Sequence, residues 1–439
     1  MAKPTQQQLL WAQAEVGVII HYDIPVFAPE YFDFRKRWGQ LPDASVFNPT
    51  ALQTDQWVET AKRAGARYAI LVVKHGTGFC LFPTEPYSVR QSSYRGDIAA
   101  QFVASCKKYG LRPGFYYNCT CSSLMQADVP GRVTNGDAAA QKRFAELTQR
   151  QLRELWSRYG DLFEIWFDGG LLPPEKGGPD LKGIYEQYQP NAVRFQGSAL
   201  GKTNNTRWVG NERGAAPYNC WSATNGDSQF DGTAEDESIG AGDPDGARWA
   251  PAECDAPNRR NEWFWKAGED RLVLPGEALL ELYYKSVGRN CNLLLGMVVD
   301  NRGLVPDRDA REFARFGELV RRRFAKPLAS TAGQGRTLTL RLPQKTPVDH
   351  IVLRENLENG HAVRAFSVDL LADGRVRRTL AAECIGNKRI FLFPRTAADT
   401  LRLTVTKTAG VPDISEFSAL FADDFSAKEK LRLALFGDR

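Results

Sequence analysis

No stretch of about 18 or more apolar residues occurs in the 439-residue chain, so no segment reads as a membrane-spanning helix. There is no CxxC pair, and none of the eight cysteines (80, 106, 119, 121, 220, 254, 291, 384) stands at a His/Cys spacing suited to zinc, so free buried thiols are expected. Charge of one sign is also scarce. The net charge is +5, with lysines and arginines dispersed, and this excludes an extended nucleic-acid or membrane surface. No GxGxxG or GxxxxGK[ST] loop follows any expected strand, so nothing is built to cradle phosphate. No GxSxG elbow seats a serine nucleophile. Met1-Ala2-Lys3-Pro4 and the Gln run after it lack the apolar core of a secretory signal. That suits a cytoplasmic protein, and equally a secreted or periplasmic one whose signal has been removed, so the compartment stays open.

What is there is an alternation of buried strands and amphipathic helices. Val16–Tyr22, Tyr68–Val73, Pro113–Tyr117, Leu162–Phe167, Val193–Phe195, Arg207–Val209 and Cys291–Gly296 read as strands. Between them Thr54–Gly65, Asp97–Tyr109, Ala138–Arg158 and Pro275–Val287 carry helical apolar spacing, and Asp307–Phe324 closes the unit. Thr54 and Asp55 are cap candidates for the first of these, and Gly110 is a stop for the second. Residues from about 211 to 261, rich in Gly, Asp, Ser and Pro, read as a loop-rich insertion. This rhythm specifies a parallel sheet, and its length suits a (β/α)8-like TIM barrel over residues 1–325; a doubly wound sheet is the alternative. Beyond about Ala325 short alternating strands follow without helices: 337–342, 350–354, 365–371, 389–393 and 400–405. They predict an all-β sandwich over residues 326–423, followed by a charged tail.

Chemistry is expected where strands end at one rim. The apolar run Leu162–Phe167 stops abruptly at Asp168-Gly169-Gly170. Asp168 is either a rim carboxylate or the N-cap of a following helix, and this stretch alone favours neither. The only two histidines of this half, His21 and His75, also stand at strand ends. Trp166 shares a strand face with Asp168, and Tyr116, Tyr117, Trp208, Trp221, Trp249, Trp263 and Trp265 fall at strand ends or in the insertion. Flat aromatic faces among His, Asp and Glu suit a sugar, though about half of these tryptophans are expected in the core. A glycosidase needs a second carboxyl group. Glu212, Asp236, Glu237, Glu253 and Glu262 are the candidates; Glu212 follows a strand and Glu253 sits in a Pro-constrained turn.

Taken together, several motifs resemble glycoside hydrolase family 29, the α-L-fucosidases. They are Ile20-His21, Phe47-Asn48-Pro49-Thr50, Lys74-His75 through Leu81, Gly114–Tyr117, Trp166-Phe167-Asp168-Gly169, Trp208-Val209-Gly210-Asn211-Glu212, Trp249–Asp255, Ser286–Asn290 and Ile385–Ile390. Trp-Val-Gly-Asn-Glu and Pro-Ala-Glu-Cys-Asp are most similar to the subfamily acting on α-1,3/1,4-linked fucose of branched, Lewis-type glycans. The resemblance implies Asp168 as nucleophile and Glu212 as general acid/base, with Glu253 the other acid/base candidate and otherwise a substrate-binding residue. His21, His75, Tyr117, Trp166 and Trp263 would line the fucose pocket. One departure is that family members often carry two adjacent histidines where this chain has His75-Gly76.

The implied reaction is retaining hydrolysis of a fucosylated oligosaccharide or glycoconjugate by double displacement. It uses no metal and no cofactor. The competing expectations are a carbohydrate-binding protein that kept the barrel without turnover, and a barrel hydrolase of another sugar. Oligomeric state is not legible.

Overall fold

The structure, a computed structural model, describes residues 1–134, 136–226, 238–422 and 424–425. Eight parallel strands close into a barrel in sequential order: β1 (Val16–His21), β2 (Tyr68–Lys74), β3 (Arg112–Tyr117), β4 (Glu164–Trp166), β5 (Val193–Phe195), β6 (Asn205–Trp208), β7 (Ala252–Pro257) and β8 (Cys291–Val298). The helices outside are α1 (Gln6–Ala12), α2 (Thr54–Arg63), α3 (Ile98–Tyr109), α4 (Ala138–Arg158), α5 (Lys182–Tyr188), α6 (Gly276–Lys285) and α7 (Asp307–Phe324). Only a 3-10 turn, Ser198–Leu200, lies between β5 and β6, so the outer ring is incomplete there.

Local chemistry sets the helix ends. Asp97 accepts the Ala100 N–H at the start of α3, and Gly110 ends it in the left-handed region. Neither cap expected for α2 is one: the helix begins at Thr54 after Gln53, and Asp55 instead pairs with Lys108 of α3 (2.5 Å).

The main correction concerns the region 211–261. Ala252–Pro257 is not loop but β7, paired with Arg207-Trp208 on one side and Cys291–Gly296 on the other. Its sequence, Ala-Glu-Cys-Asp-Ala-Pro, carries two carboxylates and a proline, and such a run has no strand signature unless the carboxylates are known to point into the barrel.

Side-chain alternation sorts the strands into two layers. Val16, Val18 and Ile20 of β1, with Phe115 and Tyr117 of β3, pack outward in the large core against the helices. Ile19, Tyr68, Ile70, Val72, Tyr116, Trp166, Phe195 and Leu294 form a smaller core inside the barrel. Gly17 makes that interior possible, because a Cβ there would fall 2.3 Å from the Tyr68 ring.

The C-terminal part is a separate antiparallel sheet of β9 (Ala329–Gln334), β10 (Thr337–Glu355), β11 (Val363–Ala372), β12 (Arg375–Ala382), β13 (Arg389–Thr408) and β14 (Asp413–Leu420), in the order β9-β14-β10-β13-β11-β12. Segments expected as separate strands merge here: 337–342 with 350–354 into β10, and 389–393 with 400–405 into β13. Register shifts between Arg341 and Thr346 and between Val348 and His350 interrupt the pairing. Bulges of this kind bend a long strand, and Phe391 meets Phe366 (ring centroids 6.0 Å) over one apolar core. β9, β12 and β14 were not expected; burial is weak in β9 and β12, whereas the second half of β14 is buried on both faces. The sheet is tied to the barrel by Glu15, which receives Arg354 and Lys388 (3.0 Å to Lys388).

Candidate active site

At the carboxyl end of the barrel a pocket of about 100 Å³ is lined by Ile19, His21, His75, Tyr116, Trp166, Asp168, Glu212, Asp255, Trp263 and Leu294. Asp168 follows β4. Its Oδ2 accepts the Tyr116 hydroxyl (2.7 Å) and Asn118 Nδ2 (3.3 Å), and Thr120 Oγ1 donates to its carbonyl (2.9 Å). Gly169 and Gly170 both have positive φ, which turns the chain sharply away, and no helix starts there for Asp168 to cap. Burial raises its pKa above the ordinary carboxylate value; the Tyr116 bond opposes this, the charge of Glu212 adds to it, and Arg35 opposes it.

A second pattern organises the tryptophans. Four indole N–H groups each donate to a carboxylate: Trp263 to Glu212 (3.0 Å), Trp208 to Asp255 (2.7 Å), Trp166 to Glu253 (2.8 Å) and Trp11 to Glu164 (2.8 Å). The last three satisfy a carboxylate that burial would otherwise penalise, the first lies at the exposed mouth, and all four fix the plane of a ring. Rings also stack along adjacent strands. His75 on Tyr116 (5.9 Å, 14°), Tyr116 on Trp166 (5.2 Å, 18°) and Trp166 on Phe195 (4.0 Å, 4°) form one aromatic wall.

The imidazoles are neutral. Burial pushes His21 well below its usual value, helped by His75, and burial with the charges of Lys74 and Arg35 pushes His75 down to about 3. His21 is 5% exposed, lies 4.9 Å from Trp263, and its Nδ1 has no partner among the described residues. A buried ring nitrogen left open in a pocket is a place for a ligand's polar group, and a neutral imidazole can both donate to and accept from a hydroxyl.

Six of the eight expected site residues meet here: Asp168, Glu212, His21, His75, Trp166 and Trp263. Tyr117 does not. It faces outward, its hydroxyl donating to Gln151 of α4 (2.5 Å), and Tyr116 is the tyrosine of the pocket. One residue along a strand reverses the face, and the pairing of Tyr116 with Trp166 decides which is inward. Glu253 is also corrected. It lies below the pocket, fully buried, between Trp166 and the Tyr68 hydroxyl (2.8 Å), and therefore holds the floor instead of touching a ligand. Burial raises its pKa and also that of Glu164, where the charge of Glu253 acts in the same direction.

Of the other carboxylates, Glu262 is paired with Lys266 (2.7 Å), and Asp236 and Glu237 lie outside the described residues. Trp221 and Trp249 pack against His361 of the C-terminal part, away from the pocket (5.3 and 4.9 Å). Asp255 and Asn118 were missed. Asp255 is two residues beyond Glu253 on β7, so the strand period would have found it had the strand been recognised.

A closed parallel barrel with carboxylates and neutral imidazoles around a small pocket at its carboxyl-end mouth is the architecture of a glycoside hydrolase. The α-L-fucosidase family model matches residues 5–323. Alpha-L-fucosidase 1 of Arabidopsis thaliana is 30% identical over 97% of this chain and 89% of its own length. A Bacteroides thetaiotaomicron protein assigned to α-L-fucosidase has a crystal structure similar at TM-score 0.89 and 36% identity, over 96% of this chain and 100% of that one. A glycoside hydrolase 29 family member from a rumen bacterium is 28% identical at TM-score 0.81, over 97% of this chain and 78% of its own. The chain belongs to the α-L-fucosidase family.

Proposed function

We propose that the protein is a retaining, exo-acting α-L-fucosidase that removes α-1,3/1,4-linked fucose from branched, Lewis-type glycans. The observation that carries this is the meeting of Asp168 and Glu212 in one small pocket beside two imidazoles whose burial holds them neutral. An uncharged sugar is what such a lining recognises, and a pocket of about 100 Å³ suits a terminal ring and not a chain.

Asp168 is the nucleophile. Its carboxylate attacks the anomeric carbon while Glu212 protonates the departing oxygen; water deprotonated by Glu212 then releases fucose from Asp168. The Tyr116 bond favours the ionised form of Asp168 against its burial and aims the free oxygen. Trp263 orients Glu212. His21 and His75 take sugar hydroxyls, and Trp166 with Tyr116 gives the ring an apolar wall. The linkage preference rests on the Trp208–Glu212 and Pro251–Asp255 motifs.

Proton NMR of the first-formed product tests the mechanism: α-fucose appearing before mutarotation is expected, and β-fucose appearing first would replace double displacement with inversion.

A further inference from the structure

Gly76 does not have a positive φ, yet any side chain there would force the Phe34 ring to move. A Cβ would fall 2.3 Å from Phe34 Cζ and 2.4 and 2.7 Å from the two neighbouring ring carbons. The space beside His75 is thus occupied by a ring from a distant segment, the 3-10 turn Phe34–Arg37 between β1 and α2. Phe34 meets His75 edge to face (5.9 Å, 88°), and Trp38 meets Phe34 the same way (6.4 Å, 84°). The three rings lead from the pocket wall out onto the rim, where Phe34 and Trp38 are only half-buried.

The turn is held in place. Arg35 forks onto Asp128 through Nε (3.1 Å) and Nη2 (3.0 Å). The Ser123 N–H donates to the Gly76 carbonyl (2.7 Å), and the Ser123 carbonyl accepts from the Gly39 N–H (3.1 Å), so one residue joins the end of the turn to the Gly76 segment. On its other flank Phe32 lies 6.3 Å from Phe264, which in turn packs on His75 (5.1 Å). Trp38 differs from the four clamped tryptophans: its indole N–H has no partner among the described residues. A half-exposed, unclamped indole on a fixed turn at a pocket mouth is placed to meet something outside the pocket.

We propose that the Phe34–Trp38 turn is the subsite for the leaving-group sugar, with Trp38 stacking on the C–H face of the pyranose to which fucose is attached and Gly76 kept small so that Phe34 can seat the turn against His75. This rests on the fucosidase reading above. The pocket takes the fucose, and the rim takes the next sugar.

The experiment compares two substrates that differ only outside the pocket. α-L-Fucosyl fluoride has a single atom as leaving group, whereas a Lewis-type trisaccharide fills the rim. For Trp38→Ala and Gly76→Ala, kcat/KM on the trisaccharide should fall about 10- to 100-fold, about what one stacked ring contributes in sugar and base platforms. On fucosyl fluoride it should stay within about threefold, as should the inhibition constant of free L-fucose. Trp38→Phe should recover most of the loss. Melting temperatures of the variants separate misfolding, which would lower both substrates together. Equal losses on both substrates, a changed fucose constant, or an undiminished trisaccharide rate would overturn the subsite. Failure of the unmodified enzyme to cleave fucosyl fluoride would instead overturn the fucosidase reading.

Discussion

Replacing Tyr116 by Phe removes one hydroxyl from one oxygen of Asp168. That bond is short (2.7 Å) and its acceptor is charged, a class worth about 1.5–3 kcal/mol. Losing it disfavours the carboxylate against the carboxylic acid, and at about 1.4 kcal/mol per pKa unit the Asp168 pKa should rise by about 1 to 2 units. The longer Asn118 contact (3.3 Å) remains and holds the shift toward the lower figure. The sign follows from the chemistry. The nucleophile must be ionised, so activity is lost as pH falls through its pKa, and burial already sets that acid limb above the ordinary aspartate value. In Tyr116→Phe the acid limb of kcat/KM, followed with an aryl fucoside, should therefore move up by about one unit. Below that limb the rate should fall about tenfold relative to wild type. Tyr117→Phe is the control: it breaks the bond to Gln151 behind the strand, lowers the melting temperature, and leaves the limb unmoved. A Tyr116 variant with native fold and a limb displaced by less than about 0.3 units would refute the reasoning, as would a displaced limb in the Tyr117 variant.

Glu212→Ala should cost far more on natural glycans than on substrates whose leaving group needs no proton; comparable losses on both would make Glu212 a binding residue. Gly296→Ala should disturb the same acid indirectly, because its Cβ would fall 2.7 Å from the Trp263 ring that donates to Glu212; a trisaccharide rate within twofold of wild type would mean the ring gives way freely. Away from the pocket, burial works to raise the pKa of Glu15, but Lys388 and Arg354 outweigh it and lower the carboxyl from 4.5 to about 2. A depressed carboxylate stabilises the fold fully above its unfolded value and loses that contribution as pH falls from 4.5 toward 2. The difference, 4.5 − 2, amounts to about 3 kcal/mol, so Glu15→Gln should lower stability in urea by about that much at pH 7 and by much less near pH 2; equal losses at both would remove the pairing as their cause.

The barrel was legible because β1, β2 and β8 are apolar almost throughout and its long helices carry regular apolar spacing. β7 was hidden because its inward residues are carboxylates, each satisfied by an indole from another strand, and nothing local in Ala252–Pro257 announces those partners. With the strand unseen, Glu253 looked like a loop residue free to reach a sugar, and Asp255 did not stand out. Asp168 and the two histidines stood out as strand-end residues, since an abrupt polar residue after a buried run marks a strand end, but position alone left Asp168 divided between a rim carboxylate and a helix cap. Tyr116 against Tyr117 depended on register, which becomes definite only when β3 is laid beside β4. The filling of the space beside His75 by Phe34 joins residues 42 positions apart, and only the folded chain brings them together.

The most direct test of the central assignment is the release of free fucose from a Lewis-type α-1,3/1,4-fucosylated trisaccharide and a linear α-1,2-fucosylated one, by wild type and Asp168→Ala side by side. Release from the branched glycan alone, abolished in the folded Asp168→Ala variant, is the predicted result. Undiminished release by that variant would contradict the nucleophile, and no release from either glycan by wild type would contradict the fucosidase itself.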